Sequence, residues 1–170
     1  MTEVLAALLG TIVGGFISWI ANVYQNKSQA TFAFHREFNS DIIHKSRILA
    51  DQLIRKNPND MLYEIYEKYP EESFHVWQVI NFYKRLWVAI KYGQVKNELI
   101  PELFGETFIW WYLICFEKQY IPAYDYSQAR DQILDLKKWI DTHSEKSALH
   151  EWAELALKEY GQRTSKNSIK

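Results

Sequence analysis

Apolar residues enter this chain first as an unbroken block and only later as stripes. From Val4 to Val23 the sequence reads VLAALLGTIVGGFISWIANV, with Thr11, Ser18 and Asn22 as its only polar members and no charge. A helix of these twenty residues is about 30 Å long, the thickness of a hydrocarbon core, so residues 1–25 are predicted to form a transmembrane anchor. No Lys or Arg precedes the block and no small-residue cleavage site follows it, which favours an anchor over a cleaved signal. Trp19 and Tyr24 suit the interface at its far end.

Small residues are phased within the block. Ala6, Gly10, Gly14, Ser18 and Asn22 recur every four residues and make one ridge, including a G-x-x-x-G pair, along which two helix backbones can approach closely. Lipid gives helices no hydrophobic reason to associate, so close packing and the polar groups of Ser18 and Asn22 must supply it. In a ring of such helices, Thr11, Ser18 and Asn22 would face a central opening.

After the block the pattern turns amphipathic. Neither Gly nor Pro occurs between Phe16 and Asn57, and Phe34, Phe38, Ile42, Leu49 and Leu53 recur near helical spacing. The first helix is therefore expected to continue, with a short break around Asn26 to Ser28, until Pro58. Asn59 or Asp60 is expected to cap a short helix that Pro70 stops, and a third helix runs from near Ser73 to Gly93, presenting Phe74, Trp77, Ile80, Phe82, Trp87 and Ile90. The apolar run from Phe108 to Phe116, between Glu106 and Glu117, is too short to span a bilayer and reads as the centre of a core helix from about Asn97 to Tyr120. Ser127 is the expected cap of the next helix (Ile133, Leu134, Leu136, Ile140). Thr142 to Glu145 has capping-box spacing for the last, which Gly161 closes. The fold class is all-α: one membrane helix continuing into a bundle of about five helices over residues 26–161, with a flexible basic tail at 162–170.

Charge sets orientation more than it sets partners. Twenty basic residues against 21 acidic give a formal charge of -1, so no direct nucleic-acid binding is indicated. Glu3 precedes the block while Lys27, Arg36, Lys45 and Arg47 follow it, which places the helical domain on the cytoplasmic side of the membrane. Apolar residues at 48% and aromatics at 16% exclude a disordered chain.

Catalytic chemistry is sparse. No nucleophile elbow, phosphate-binding loop or dinucleotide fingerprint is present, and the lone Cys115 sits in an apolar run where burial makes a thiol inert. The histidines are His35, His44, His75, His143 and His150; Glu72 with His75 meets a metal-ligand spacing and Glu151 with His150 does not, and one such pair is a weak signal, so no metal or cofactor is expected. The Arg-His pair of HEPN-like ribonucleases is absent, because Arg36 and His44 stand too far apart. A composite ribonuclease site of His35, Arg36 and His44 across a dimer is the alternative enzymatic reading.

The stretch from Asn81 and Phe82 through Lys84 and Trp87 to Gly93, followed by Phe104, Gly105, Trp111 and Arg130, resembles a family of small uncharacterised bacterial proteins with one membrane helix and a helical cytoplasmic domain. The resemblance covers residues 31–131 and implies packing roles for these positions. Lys84 stands where that family commonly has an acidic residue. The plan of one anchor and a helical domain is also similar to the membrane accessory proteins of type VI-B CRISPR-Cas systems. That similarity implies a ring-like homo-oligomer forming a pore in anti-phage defence, with a CRISPR effector or other defence protein as partner. A membrane scaffold that recruits a cytosolic partner is the further alternative.

Overall fold

The computed structural model describes the backbone of residues 2–117 and 123–167, and the side chains of residues 11–117 and 128–159. Among the described residues the chain is all-helical, with seven α-helices and no strand. They are α1 (Thr2–Phe38), α2 (Asp41–Lys56), α3 (Leu62–Lys68), α4 (Pro70–Lys91), α5 (Glu106–Trp111), α6 (Ala123–His143) and α7 (Lys146–Asn167). Two π-helical turns, Pro101–Gly105 and Tyr112–Phe116, flank α5.

The expected break at Asn26 to Ser28 does not occur. Residues 26–28 carry no helix-stopping residue, and α1 runs unbroken to Phe38. The chain turns instead at Ser40, whose extended backbone (φ -66°, ψ 152°) and side-chain oxygen, accepting from the Ile43 N–H, start α2, with Asp41 favouring the helix dipole. That displaced break changes the phase of α2. Its buried positions are Ile43, Ser46, Ala50, Leu53 and Ile54, while Ile42, expected in the core, is exposed.

Several other boundaries also differ. Neither Asn59 nor Asp60 caps α3; Met61 stands at the cap and its N–H donates to Glu64 Oε2 at 2.7 Å, while Asp60 pairs with Lys68. Pro70 does not merely end α3 but opens α4 at the first helical position, where its missing N–H needs no partner, with Glu71 and Glu72 in the first turn. Expected helix starts at Ser127 and at the Thr142 box are replaced by Ala123 and Lys146; the Thr142 hydroxyl donates back to Trp139 O (2.8 Å) and so extends α6. The backbone of α7 passes through Gly161 to Asn167, so the helix does not close where the glycine suggested.

Gly93 does end α4. It takes φ +62°, the Gly93 N–H donates to Ile90 O (2.9 Å) and the Gln94 N–H to Ala89 O (2.8 Å), a double closure that favours a residue without Cβ.

Helix α4 is the axis of the domain, packed by α2, α3 and α6, while α7 packs on α5. It buries Val76, Val79, Ile80, Phe82, Tyr83, Leu86, Ala89 and Ile90; Phe74, expected in the core, is exposed. Phe38, Phe82, Tyr83, Phe104 and Phe108 form a connected aromatic cluster at the centre, with ring centroids 4.9 Å apart for Phe38 and Phe82 and 5.0 Å for Tyr83 and Phe108. The predicted long core helix is interrupted by its two π turns. One α-helical stripe cannot cover three neighbours in a row, and the second π turn, closed by the Glu117 N–H to Tyr112 O bond (2.8 Å), buries Ile114, Cys115 and Phe116 together.

Among the described residues no helix is long and apolar enough to cross a membrane. Val4–Gly10 of the expected span lie outside the residues whose side chains are described, and with them Ala6 and Gly10 of the ridge.

Candidate functional site: the uncovered arm of α1 and its basic collar

From Thr11 to Asn26 every residue of α1 is exposed; the helix joins the domain's apolar core only further along, through Ala30, Phe34 and Phe38. The free part is not a polar strut. Ile12, Val13, Phe16, Ile17, Trp19, Ile20, Val23 and Tyr24 are between 37% and 64% exposed, far more apolar surface than one helix normally leaves in water.

At about 100° per residue these bulky side chains share one broad side of the helix. The opposite sector, about 120° wide, holds Thr11, Gly14, Gly15, Ser18, Ala21 and Asn22. A Cβ placed on Gly14 or Gly15 would meet nothing within 4 Å, so the backbone there is open to close approach by another helix. The arm thus has an apolar face and a small, polar face.

At the foot of the arm the chain gathers cations and rings. Lys96 Nζ lies 4.5 Å from the centre of the Tyr24 ring, and hydrogen bonding to Tyr24 raises the Lys96 pKa, so this ammonium stays charged. Lys27 points toward Gly93 across the same junction, with Lys91 and the exposed Tyr92 beside it in sequence. The junction is fixed by fully buried Thr31: its hydroxyl donates to Lys27 O (2.8 Å) and accepts from the Lys96 N–H (2.8 Å).

The other residues singled out from sequence fall in two groups. Phe82, Phe104 and Trp111 are buried in the aromatic core, Gly105 lies against Trp152, and Arg130 is half-buried on α6. Asn81 is exposed and lines a cavity between α4 and α6. His35, Arg36 and His44 are not united. His35 packs edge-on to Phe104 (6.1 Å) with Asn39 on its Nε2 (3.0 Å), Arg36 is exposed, and His44 sits on another helix with Arg47 at 3.3 Å.

Sequence reasoning missed one Ser-His contact. Ser46 Oγ and His75 Nδ1 lie 3.1 Å apart, joining α2 to α4 across 29 positions with no local signal. Ser46 is buried, so the bond ties helices and offers no nucleophile. It also missed a cavity of about 300 Å³ between α2, α5 and α7, lined by His44, Arg47, Asp51, Glu106, Trp110 and Trp152 among others. Arg47 stacks on Phe38 (4.0 Å) there, and burial lowers its pKa. Cys115 is fully buried and its thiol pKa is pushed up by desolvation, which keeps it protonated and inert. Among the described residues no group of three or more His, Cys, Asp or Glu is placed to hold a metal ion. No protein-family profile, curated protein or solved structure matches this chain.

Proposed function

We propose that the chain is a single-pass membrane protein whose α1 arm enters the bacterial inner membrane and whose helical domain stands on the cytoplasmic side. In this reading the spans associate through the Ala6, Gly10, Gly14, Ser18 and Asn22 ridge into a ring-like homo-oligomer that permeabilises the membrane. The observation that carries it is the uncovered arm. Each bulky apolar side chain left in water forgoes roughly 1.5–3 kcal/mol of burial, so the eight on the arm together forgo on the order of 10 kcal/mol, as much as a whole domain's stability. Lipid on the bulky face and neighbouring helices on the small face remove that cost. The collar of Tyr24, Lys27 and Lys96 then lies at headgroup level, where rings and cations are favoured.

No covalent step belongs to this function. A water-filled path needs polar groups facing it, and Thr11, Ser18 and Asn22 are those the span offers. A role in anti-phage defence is supported by the architectural similarity to the type VI-B accessory proteins. Dye release from liposomes reconstituted with the purified chain tests the reading. Leakage that rises with protein density supports a pore; sealed vesicles carrying a verified oligomer would favour a scaffold instead.

A further inference from the structure

The cavity between α4 and α6 takes no part in the reading above. It has a volume of about 660 Å³, much larger than an inorganic anion needs, and its described polar lining consists of cations and neutral amides. Lys84 and Arg85 supply positive charge, the amides of Asn81, Gln94, Gln128 and Gln132 supply paired donors and acceptors, and among the described residues no carboxylate lines it. Phe34, Val88 and Ala89 form the apolar remainder.

The two cations are not equivalent. Both guanidinium NH2 groups of Arg85 hold the Glu37 carboxylate on α1, so that charge is already balanced. Lys84, half-buried, has no ion-pair partner among the described residues. Gln132 carries the second unfilled valence: its Oε1 is buried and accepts no hydrogen bond among the described residues. A buried acceptor left unpaired costs about 1–3 kcal/mol, which a donor from a ligand would recover.

The geometry points to a binding site for a phosphorylated organic anion of mononucleotide size, with the phosphate on Lys84 and a heterocycle read by the surrounding amides. Phosphate alone would satisfy Lys84 but leave the amide walls and most of the volume unused. A neutral nucleoside would use the amides and leave Lys84 unpaired. Further along the same groove two carboxylates, Asp131 and Asp135, stand against a single cation, Lys91, so an anionic group is directed to the Lys84 end.

This proposal is independent of the membrane reading and is tested on the full chain in detergent. Isothermal titration would compare the four common nucleoside 5′-monophosphates with their nucleosides and with inorganic phosphate. At least one nucleotide is expected to bind about tenfold more tightly than both its nucleoside and phosphate, and Lys84→Gln to weaken it about tenfold, the scale of one charge-assisted hydrogen bond. Asn81→Ala, an exposed change that leaves the core alone, is expected to weaken binding severalfold with an unchanged melting curve. Four nucleotides that bind no better than phosphate would overturn the proposal, and so would equal affinity in wild type and a folded Lys84→Gln.

Discussion

Gly105 and Trp152 occupy the same space: a Cβ on Gly105 would lie 2.5 Å from Cζ3 and 2.6 Å from Cη2 of the indole. The glycine ends the first π turn, and the Trp brings α7 down upon it.

Gly105→Ala therefore forces either the ring or α7 to move. Overpacking of this kind costs about 1–3 kcal/mol, to be read from urea unfolding of the detergent-solubilised chain. Because the clash is with the ring itself, Trp152→Leu in the same chain should recover part of the loss. A double variant as unstable as the sum of the singles would show that the two residues do not meet.

Thr31 makes the second prediction. Replacing it by Val keeps the shape but removes the acceptor of the Lys96 N–H, leaving a backbone donor unpaired at the foot of the arm. A loss of about 1–3 kcal/mol is expected, with faster amide exchange at Lys96. Unchanged exchange there would contradict the assigned bond.

Alkaline pH should weaken the fold through two buried groups. Desolvation raises the pKa of both Tyr83 and Cys115, which are fully buried. Once pH passes their ordinary values, the unfolded chain releases these protons and the folded chain keeps them, so stability is intact at neutral pH and falls as pH rises. The slope is at most about 1.4 kcal/mol per pH unit for each group, beginning near pH 8.5 for the thiol and near pH 10 for the phenol. Cys115→Val should flatten the first part. Tyr83→Phe should reduce the second and, since the Tyr83 hydroxyl has no hydrogen-bond partner among the described residues, add about 1 kcal/mol at neutral pH. A Tyr83→Phe variant with the wild-type alkaline profile would refute the assignment.

The sequence was most informative where a single residue type has one local meaning. Gly93 ended α4 as its position suggested, and Ile133, Leu136 and Ile140 face the core as their spacing required. It was least informative where two signals competed. Ser40 with Asp41 outweighed the polar run at Asn26 to Ser28, and the displaced break exposed Ile42 and buried Ile43 in its place. The π turns carry no periodicity of their own, so a run such as Ile114, Cys115 and Phe116 reads equally as the middle of a regular helix. Contacts between distant segments, Ser46 with His75 and Gly105 with Trp152, left no trace in local pattern. Nor did the α4–α6 cavity, whose amides come from two helices and the turn that follows α4.

Collar residues should govern how the arm seats. Lys27→Gln with Lys96→Gln removes two cations from its foot, and each cation near an anionic surface contributes about 1 kcal/mol. Co-sedimentation with phosphatidylglycerol vesicles should therefore fall and lose its salt dependence, while binding to neutral phosphatidylcholine vesicles stays the same. An equal loss on both lipids would show that the lysines serve the fold rather than the surface.

The central claim is that copies of this chain meet through the small face of α1. Native mass measurement of the particle released in mild detergent, for the wild type and for Gly10→Leu with Gly14→Leu, addresses it directly. A defined assembly of several copies is expected for the wild type and a monomer for the double variant with its helical content intact. A monomeric wild type, or an assembly that survives both leucines unchanged, would contradict it.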